Sequence, residues 1–165
     1  LGARLGEPLG ARLLDPATVA AARLPARLER FERGGVPVVL DGAHVPGSVA
    51  DVLADLAGTP GLPGRPVVVL GLARSKDLPG ILKALVGAVD SVVGTSLGGD
   101  LHRTPEEIAE AAGTLRLPAE TAASPMDALD RATALARAGG GWVLVTGSLW
   151  LAGAVRPQLR ASEDP

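Results

Sequence analysis

VVLDGAHVPGSVADVL, residues Val38–Leu53, is the stretch that decides the fold. An apolar, β-branched run ends in Asp-Gly-Ala-His-Val-Pro, and an amphipathic segment follows at once. Ser48 predicts the N-cap of a helix, with Asp51 three residues further on. The apolar residues of that helix fall on one face, at Val49, Val52, Leu53 and Leu56. A buried strand followed directly by such a helix is the repeating unit of a parallel sheet.

The same unit recurs along the chain. Strands are predicted at Val36–Leu40, Val67–Leu72, Asp90–Thr95 and Trp142–Thr146, with a weaker candidate at Thr114–Leu117. The runs are continuously apolar rather than alternating, so helices should cover both faces of the sheet. The sequence therefore predicts an α/β fold, with a three-layer, mostly parallel (Rossmann-like) sheet between two layers of helices.

The remaining helices carry start and stop signals of their own. Asp77 predicts one N-cap, and Thr104-Pro105-Glu106-Glu107 predicts a capping box with proline in the first turn. Ser124-Pro125-Met126-Asp127 repeats the device before another apolar stripe. Gly113 and the Gly139–Gly141 run predict the ends of the last two of these helices.

Composition narrows the class of function. A chain of 165 residues that is 47% hydrophobic can form one compact domain with a buried core. The net charge of −2 gives no broad basic field, which argues against nucleic acid and favours a small ligand held by a local cluster. The chain has no cysteine, no signal-peptide pattern and no apolar run of membrane-spanning length. We therefore expect a cytoplasmic protein without a membrane partner.

Candidate ligand-binding residues follow the predicted strands, because ligands of parallel sheets bind beyond the carboxyl ends of the strands. Asp41 can accept hydrogen bonds from ribose hydroxyls, and His44 can donate to a carboxylate. Thr146-Gly147-Ser148 offers backbone N–H groups and a hydroxyl at a helix start, which suits an anion. Each has a plainer interpretation: Asp41 ends a strand, His44 lies in a surface turn and Ser148 caps a helix.

Other patterns argue against chemistry carried by this chain alone. Gly71–Asp77 combines a glycine, two cations and a helix start, but it also suits a solvated loop and is not a phosphate-binding P-loop. Arg27 lies in the arginine-rich segment LPARLERF, a composition typical of a solvated face. Asp41 and His44 lack a third partner for a metal ion, and no nucleophile, base and orienting acid form a constellation. We predict neither a metal site nor a catalytic residue here.

Taken in order, four segments resemble a known family: LPARLERF, VVLDGAHVPGS, VVVLGLARSKD and WVLVTGSLWLAGAVR. They are similar to L-P-G-R-x-E, D-G-A-H-N-P, G-x-x-x-D-K-D and T-G-S-[LY] of the C-terminal domain of the folylpolyglutamate synthase / dihydrofolate synthase family of Mur ligases. The resemblance covers roughly Ala22 to Leu159. Residues 1–22 are then expected to be the tail of a preceding domain or a linker, and residues 23–165 the Mur-ligase-type domain. No strand is predicted before Arg30.

The resemblance implies an ATP-dependent ligase that joins L-glutamate to a folate or dihydropteroate carboxylate through an acyl phosphate. The C-terminal domain would close over ATP held by an N-terminal P-loop ATPase domain, where Mg²⁺ is also expected, and would be inactive by itself. By motif position, Arg27 would reach the ATP phosphates and Asp41 would bind the ribose.

The same comparison of motifs assigns four further residues. His44 and Ser148 would lie near the incoming glutamate, and Lys76 and Asp77 would lie in the loop that borders the active-site cleft. All of these loops would then share one edge of the sheet, which is the edge that the fold rule for parallel sheets predicts.

Three positions depart from the family pattern. Ala26 replaces the glycine before the arginine, Val45 replaces the asparagine of D-G-A-H-N-P, and Ser75 replaces the first acid of D-K-D. Val45 removes a polar side chain from its motif. Val45 and Ser75 favour an alternative, a free-standing nucleotide- or amino-acid-binding module that has lost catalysis. A third hypothesis is an unrelated flavodoxin-like interaction domain.

Overall fold

The computed structural model describes residues 25–161, so the prediction for residues 1–22 lies outside the described part. In chain order the elements are β1 (Glu29–Arg33), β2 (Val36–Leu40), α1 (Pro46–Leu56), β3 (Pro66–Leu70), α2 (Leu78–Leu85), β4 (Ser91–Gly94), α3 (Pro105–Thr114), β5 (Ala119–Thr121), α4 (Pro125–Gly139), β6 (Trp142–Thr146) and α5 (Leu149–Ala161). The predicted α/β fold is confirmed.

The six strands form one sheet in the order β1-β2-β6-β3-β4-β5. The pair β1–β2 is antiparallel, and every other neighbouring pair is parallel. The last strand, β6, lies between β2 and β3 and pairs with both. This order places the carboxyl ends of β2, β6 and β3 side by side at one edge of the sheet, although the chain reaches β6 only after all the others.

The core has two layers, one on each face of the sheet. Successive residues of a strand alternate between them: Val68 and Leu144 pack with α1, α2 and α3, whereas Val67 and Val143 pack with α4 and α5. Every residue of β3 and β6 is buried. Apolar residues are therefore favoured here, because a buried polar side chain needs a hydrogen-bond partner, as Thr146 at the end of β6 has in the Ala43 carbonyl.

The predicted helix caps are confirmed for three helices. The side chains of Asp77, Thr104 and Ser124 each accept a hydrogen bond from a backbone N–H of the first helical turn. The Thr104 cap is a complete capping box. At the other end of α4, Gly140 has a φ of 68°, the left-handed conformation that terminates a helix.

The prediction for the start of α1 was wrong. The helix begins at Pro46, with Val45 as an N-cap residue that makes no side-chain hydrogen bond. Ser48 therefore lies inside the first turn rather than at the cap. Proline at the first helical position already has the helical φ and has no N–H to satisfy, so the helix can begin three residues earlier than the hydroxyl suggested.

Two strand predictions were also wrong. No strand was predicted before Arg30, but β1 begins at Glu29 and ends at Arg33. It is an edge strand with one buried residue, Phe31, so it lacks an apolar run. The fifth strand lies at Ala119–Thr121 rather than Thr114–Leu117. α3 continues through Thr114, and its chain then turns through Arg116 at a φ of 55° before the strand begins.

Candidate functional site

The turns that follow β2, β6 and β3 form one rim at the carboxyl edge of the sheet. The hydroxyl of Thr146 donates a hydrogen bond to the carbonyl of Ala43 at 3.0 Å, between residues 103 positions apart in the chain. The N–H of Gly147 donates to the same carbonyl at 2.7 Å, and the N–H of Gly71 reaches the Thr146 carbonyl at 3.5 Å. The predicted convergence of these loops is thus present as direct contacts.

Two glycines allow the turns to approach so closely. Gly147 has a φ of 98°, and a Cβ atom there would lie 2.6 Å from the Gly71 carbonyl oxygen. A Cβ atom on Gly42 would overlap the side chain of Leu149, the first residue of α5. Larger residues at either position would force the neighbouring turns apart.

Asp41 anchors the loop that carries Arg27. Its carboxylate is buried, with the residue only 3% exposed, and it accepts hydrogen bonds from the N–H of Leu28 at 3.0 Å and of Ala43 at 2.8 Å. Because each carboxylate oxygen can accept two hydrogen bonds, one acceptor position on each remains for a ligand hydroxyl. Asp41 therefore ends its strand, as the plainer interpretation held, and also lines a cavity.

The Arg27 groove is a cavity of about 320 Å³ that brings Arg27 and Asp41 together. Its other lining residues are Leu28, Ala43, Ser48, Asp51, Val52 and Asp55. Three of these residues were not predicted as site residues: Ser48, Asp51 and Asp55. Their helical spacing, which places all three on one face of α1, is the signal that could have identified them.

The His44 groove is a second cavity, of about 350 Å³, that brings His44, Lys76 and Ser148 together. It is also lined by Ala73, Leu101, His102, Gly147, Leu149 and Trp150. Asp77 lines neither groove; its carboxylate instead accepts a hydrogen bond from the N–H of Gly80 at 2.9 Å and caps α2. The structure thus divides five of the six predicted residues between two grooves and leaves Asp77 outside both.

The chemistry of the His44 groove suits an anion. The Nδ1 of His44 lies 2.8 Å from the Gly42 carbonyl, which can only accept, so Nδ1 carries the proton and Nε2 is left for a ligand. His102 makes the equivalent contact with the Gly98 carbonyl at 2.9 Å. No acidic residue lines this groove, and among residues 25–161 the Lys76 ammonium has no carboxylate partner. A carboxylate ligand would meet the positive charge of Lys76 and no acidic side chain.

Some of the other residues of the His44 groove could have been predicted from the sequence, and others could not. The Ser148 hydroxyl accepts a hydrogen bond from the N–H of Trp150 at 3.1 Å, which makes it a helix cap as well as a groove residue. Trp150 directly follows the T-G-S-[LY] motif and could have been inferred. Leu101 and His102 could not, because an isolated bridge between Ala73 and His102 brings them in from a distant loop.

An ion pair supports the Arg27 loop from the side. Glu29 accepts hydrogen bonds from Arg156 on α5, with N–O distances of 2.8–3.0 Å, and from the N–H of Ala26 at 3.1 Å. Arg160 lies 3.7 Å away. The hydrogen bonds from Arg156 lower the pKa of Glu29 below its ordinary value.

We expect Glu29→Gln to destabilise the protein at neutral pH and to have a diminishing effect in acid. Because the folded-state pKa of Glu29 is depressed, its charge contributes stability above the ordinary pKa of 4.5, and this is lost as pH falls through the folded-state value. Urea unfolding of both proteins from about pH 7 down to about pH 3 measures the difference. Glu110→Gln, which removes an exposed carboxylate of α3, is the control. A difference that stays constant across this range would contradict the prediction.

Residues 25–161 contain neither a membrane-spanning helix nor a cluster of metal-binding side chains. In this range no helix combines the length and the apolar character that crossing a membrane requires. No three His, Asp or Glu side chains of this range lie close enough together to hold a metal ion. The rim instead carries arginine, lysine, imidazole and backbone N–H donors, together with the carboxylates of Asp41, Asp51 and Asp55 in the Arg27 groove.

The sequence matches known proteins over most of its length. The family model for the Mur ligase, glutamate ligase domain, matches residues 26–149. Dihydrofolate synthase/folylpolyglutamate synthase of Mycobacterium tuberculosis is 36% identical over an alignment 155 positions long, which covers 83% of this chain and 31% of the relative.

Solved structures show the same similarity. Folylpolyglutamate synthase of M. tuberculosis, complexed with ADP and AMPPCP, superimposes with a TM-score of 0.76 and 35% identity, covering 90% of this chain and 35% of the other. E. coli FolC, in complex with DHPP and ADP, gives a TM-score of 0.75 and 26% identity, covering 94% and 36%. The chain therefore spans about a third of the length of these relatives.

Proposed function

Because this chain belongs to the Mur ligase family, as a glutamate ligase domain, we propose that it is the C-terminal domain of an ATP-dependent ligase that adds L-glutamate to a folate or dihydropteroate carboxylate. In this reaction the acceptor carboxylate attacks the γ-phosphate of ATP and ADP leaves, which produces an acyl phosphate. The amine of glutamate then displaces phosphate and forms the amide bond. Nucleotide complexes of two relatives support the use of ATP.

Two domains would together bind the substrates of this ligase. An N-terminal P-loop ATPase domain would hold ATP, Mg²⁺ and the acceptor, residues 1–22 would be its tail or a linker, and residues 23–165 would close over it. The share of each relative that this chain covers, about a third, supports such a partner domain. Because catalysis needs both halves, the domain would be inactive alone.

Each groove would serve one substrate. In the Arg27 groove, Arg27 would bind the ATP phosphates and Asp41 the ribose, through the acceptor positions that its backbone contacts leave open. In the His44 groove, His44, Ser148 and Lys76 would bind a carboxylate of the incoming glutamate. The loop up to Asp77 would border the cleft between the domains.

The observation that carries the proposal is this separation into two neighbouring grooves. Three of the four sequence motifs contribute residues to the His44 groove, and the Arg27 groove takes Arg27 from the first motif and Asp41 from the second. A ligase must hold a nucleotide and an amine substrate at the same time but in different places. Two adjacent sites at the edge of one sheet meet that requirement.

An exchange of domains tests the proposal. We expect a chimera in which this chain replaces the matching third of the M. tuberculosis relative to incorporate labelled glutamate into a folate acceptor. The 165-residue chain alone, and the relative truncated before this domain, should incorporate none. Circular dichroism confirms that each protein is folded. A folded chimera without incorporation, when the intact relative is active, would contradict the proposal.

The alternative function, a free-standing binding module without catalysis, is favoured by Val45. Its apolar side chain is 43% exposed beside His44, where the family pattern has asparagine. Calorimetric titration of the 165-residue chain with ATP and with glutamate separates the two functions. A free-standing binder should have a Kd tighter than about 10 μM, or roughly −7 kcal/mol. A half-site that needs its partner domain should show almost no heat.

A further inference from the structure

The loop that carries Arg27 has an unfavourable backbone conformation. Ala26 has a φ of 55° and Leu28 a φ of 49°, so both neighbours of Arg27 lie in the left-handed region that favours glycine. Such residues keep this conformation only when their surroundings hold them in it. The contacts of this loop are therefore candidates for a functional constraint.

Both ends of the loop are held by hydrogen bonds to its backbone. The carbonyl of Ala26 accepts from the N–H of Gly42 at 2.9 Å, and the N–H of Leu28 donates to Asp41 at 3.0 Å. The N–H of Ala26 donates to the carboxylate of Glu29 at 3.1 Å. The first two anchors belong to the turn after β2, but the third depends on one side chain.

Arg156 fixes that side chain. Its guanidinium donates hydrogen bonds to both carboxylate oxygens of Glu29. The side chain of Arg156 is only 23% exposed and that of Glu29 only 22%. Arg156 lies about two helical turns beyond Leu149, whose side chain packs against Gly42 at the rim. Helix α5 therefore connects the rim to Glu29, and Glu29 connects α5 to the Arg27 loop.

The Arg27 side chain has no such support of its own. It is exposed, and among residues 25–161 its guanidinium makes no hydrogen bond or ion pair. Its location at the edge of the groove is set by the backbone that carries it. A small movement of a group that stabilises transferring phosphate can lower the rate strongly.

We propose that Glu29 and Arg156 are positioning residues of the ligase, which hold the strained loop so that Arg27 stays at the edge of its groove. This inference rests on the proposed function, in which Arg27 binds the ATP phosphates. Neither residue touches a substrate in this arrangement; both act through the N–H of Ala26 and the loop that follows it.

A double-mutant cycle in the complete ligase, or in the active chimera, tests the inference. We expect Glu29→Gln to lower kcat about tenfold when Arg27 is present, because the loop loses part of its support. In the Arg27→Ala background the same change should have no further effect on kcat. Glu120→Gln is the matched control, because it breaks the exposed ion pair with Arg131 at the far edge of the sheet and should leave kcat unchanged.

A reversed pair separates positioning from stability. Glu29→Arg combined with Arg156→Glu restores an ion pair but gives the N–H of Ala26 no carboxylate at position 29. We expect the thermal midpoint to recover relative to either single variant while kcat stays low. Recovery of kcat together with the thermal midpoint would overturn the inference, because the ion pair alone would then suffice.

The possible failures are distinguishable. If Arg27→Ala leaves kcat and the KM for ATP unchanged, the site assignment in the proposed function is wrong, whatever Glu29 does. If Arg27→Ala lowers kcat but Glu29→Gln has the same effect in both backgrounds, the site assignment stands and the positioning role is refuted. Unfolding curves of each variant, measured alongside, ensure that only folded protein is compared.

Discussion

Arg27→Ala in the complete ligase should lower kcat by roughly a hundredfold or more, the effect of losing one major donor to the transition state. The guanidinium lies at the edge of the Arg27 groove and carries no partner among the described residues, so its charge is available to a ligand. Negative charge redistributes over the phosphate oxygens during phosphoryl transfer, and closure of the two domains would exclude water from that contact.

Steady-state kinetics with ATP as the varied substrate measure this effect. Arg30→Ala is the matched control, because Arg30 is also exposed and lies three residues further on, outside both grooves. Arg27→Lys should be intermediate, since it retains the charge but loses the planar, two-pronged donor. A folded Arg27→Ala variant with wild-type kcat and wild-type ATP dependence would remove Arg27 from the site.

The central strands could be predicted from sequence, whereas the edges of the sheet could not. β2, β3 and β6 are buried on both faces, so their sequences are continuously apolar. β1 buries only Phe31, and none of the three residues of β5 is fully buried, so neither strand has an apolar signature. The insertion of β6 between β2 and β3 depends on long-range pairing that no local pattern records.

The location of the candidate site residues was predictable where a motif carried them. Asp41, His44 and Ser148 follow strands at the expected edge, and their grouping into two grooves agrees with the proposed roles. The support of the Arg27 loop was not predictable, because Glu29 and Arg156 are 127 residues apart and their pairing depends on how α5 packs. Glu29 occupies the closing acid of the family pattern L-P-G-R-x-E, but that pattern does not identify Arg156 as its partner.

Asp41→Ala should raise the KM for ATP about tenfold, or about 1.4 kcal/mol, and should also destabilise the fold. The first effect follows from the proposed contact with the ribose, which changes little during phosphoryl transfer and so contributes mainly to binding. The second follows from the structure, because the variant leaves the N–H groups of Leu28 and Ala43 without their acceptor. Each unsatisfied buried group costs about 1–3 kcal/mol.

Asp41→Asn separates the two effects. It preserves the shape of the side chain but keeps only one oxygen, so one of the two backbone N–H groups faces an amide donor rather than an acceptor. We expect a loss of stability comparable to that of Asp41→Ala, measured by urea unfolding, together with a smaller rise in the KM for ATP. Asp51→Asn, on the exposed face of α1 in the same groove, controls for the loss of charge alone. If Asp41→Ala unfolds at the wild-type urea concentration, the buried carboxylate does not hold the Arg27 loop, and the positioning of Arg27 must depend on Glu29 and on the Gly42 N–H.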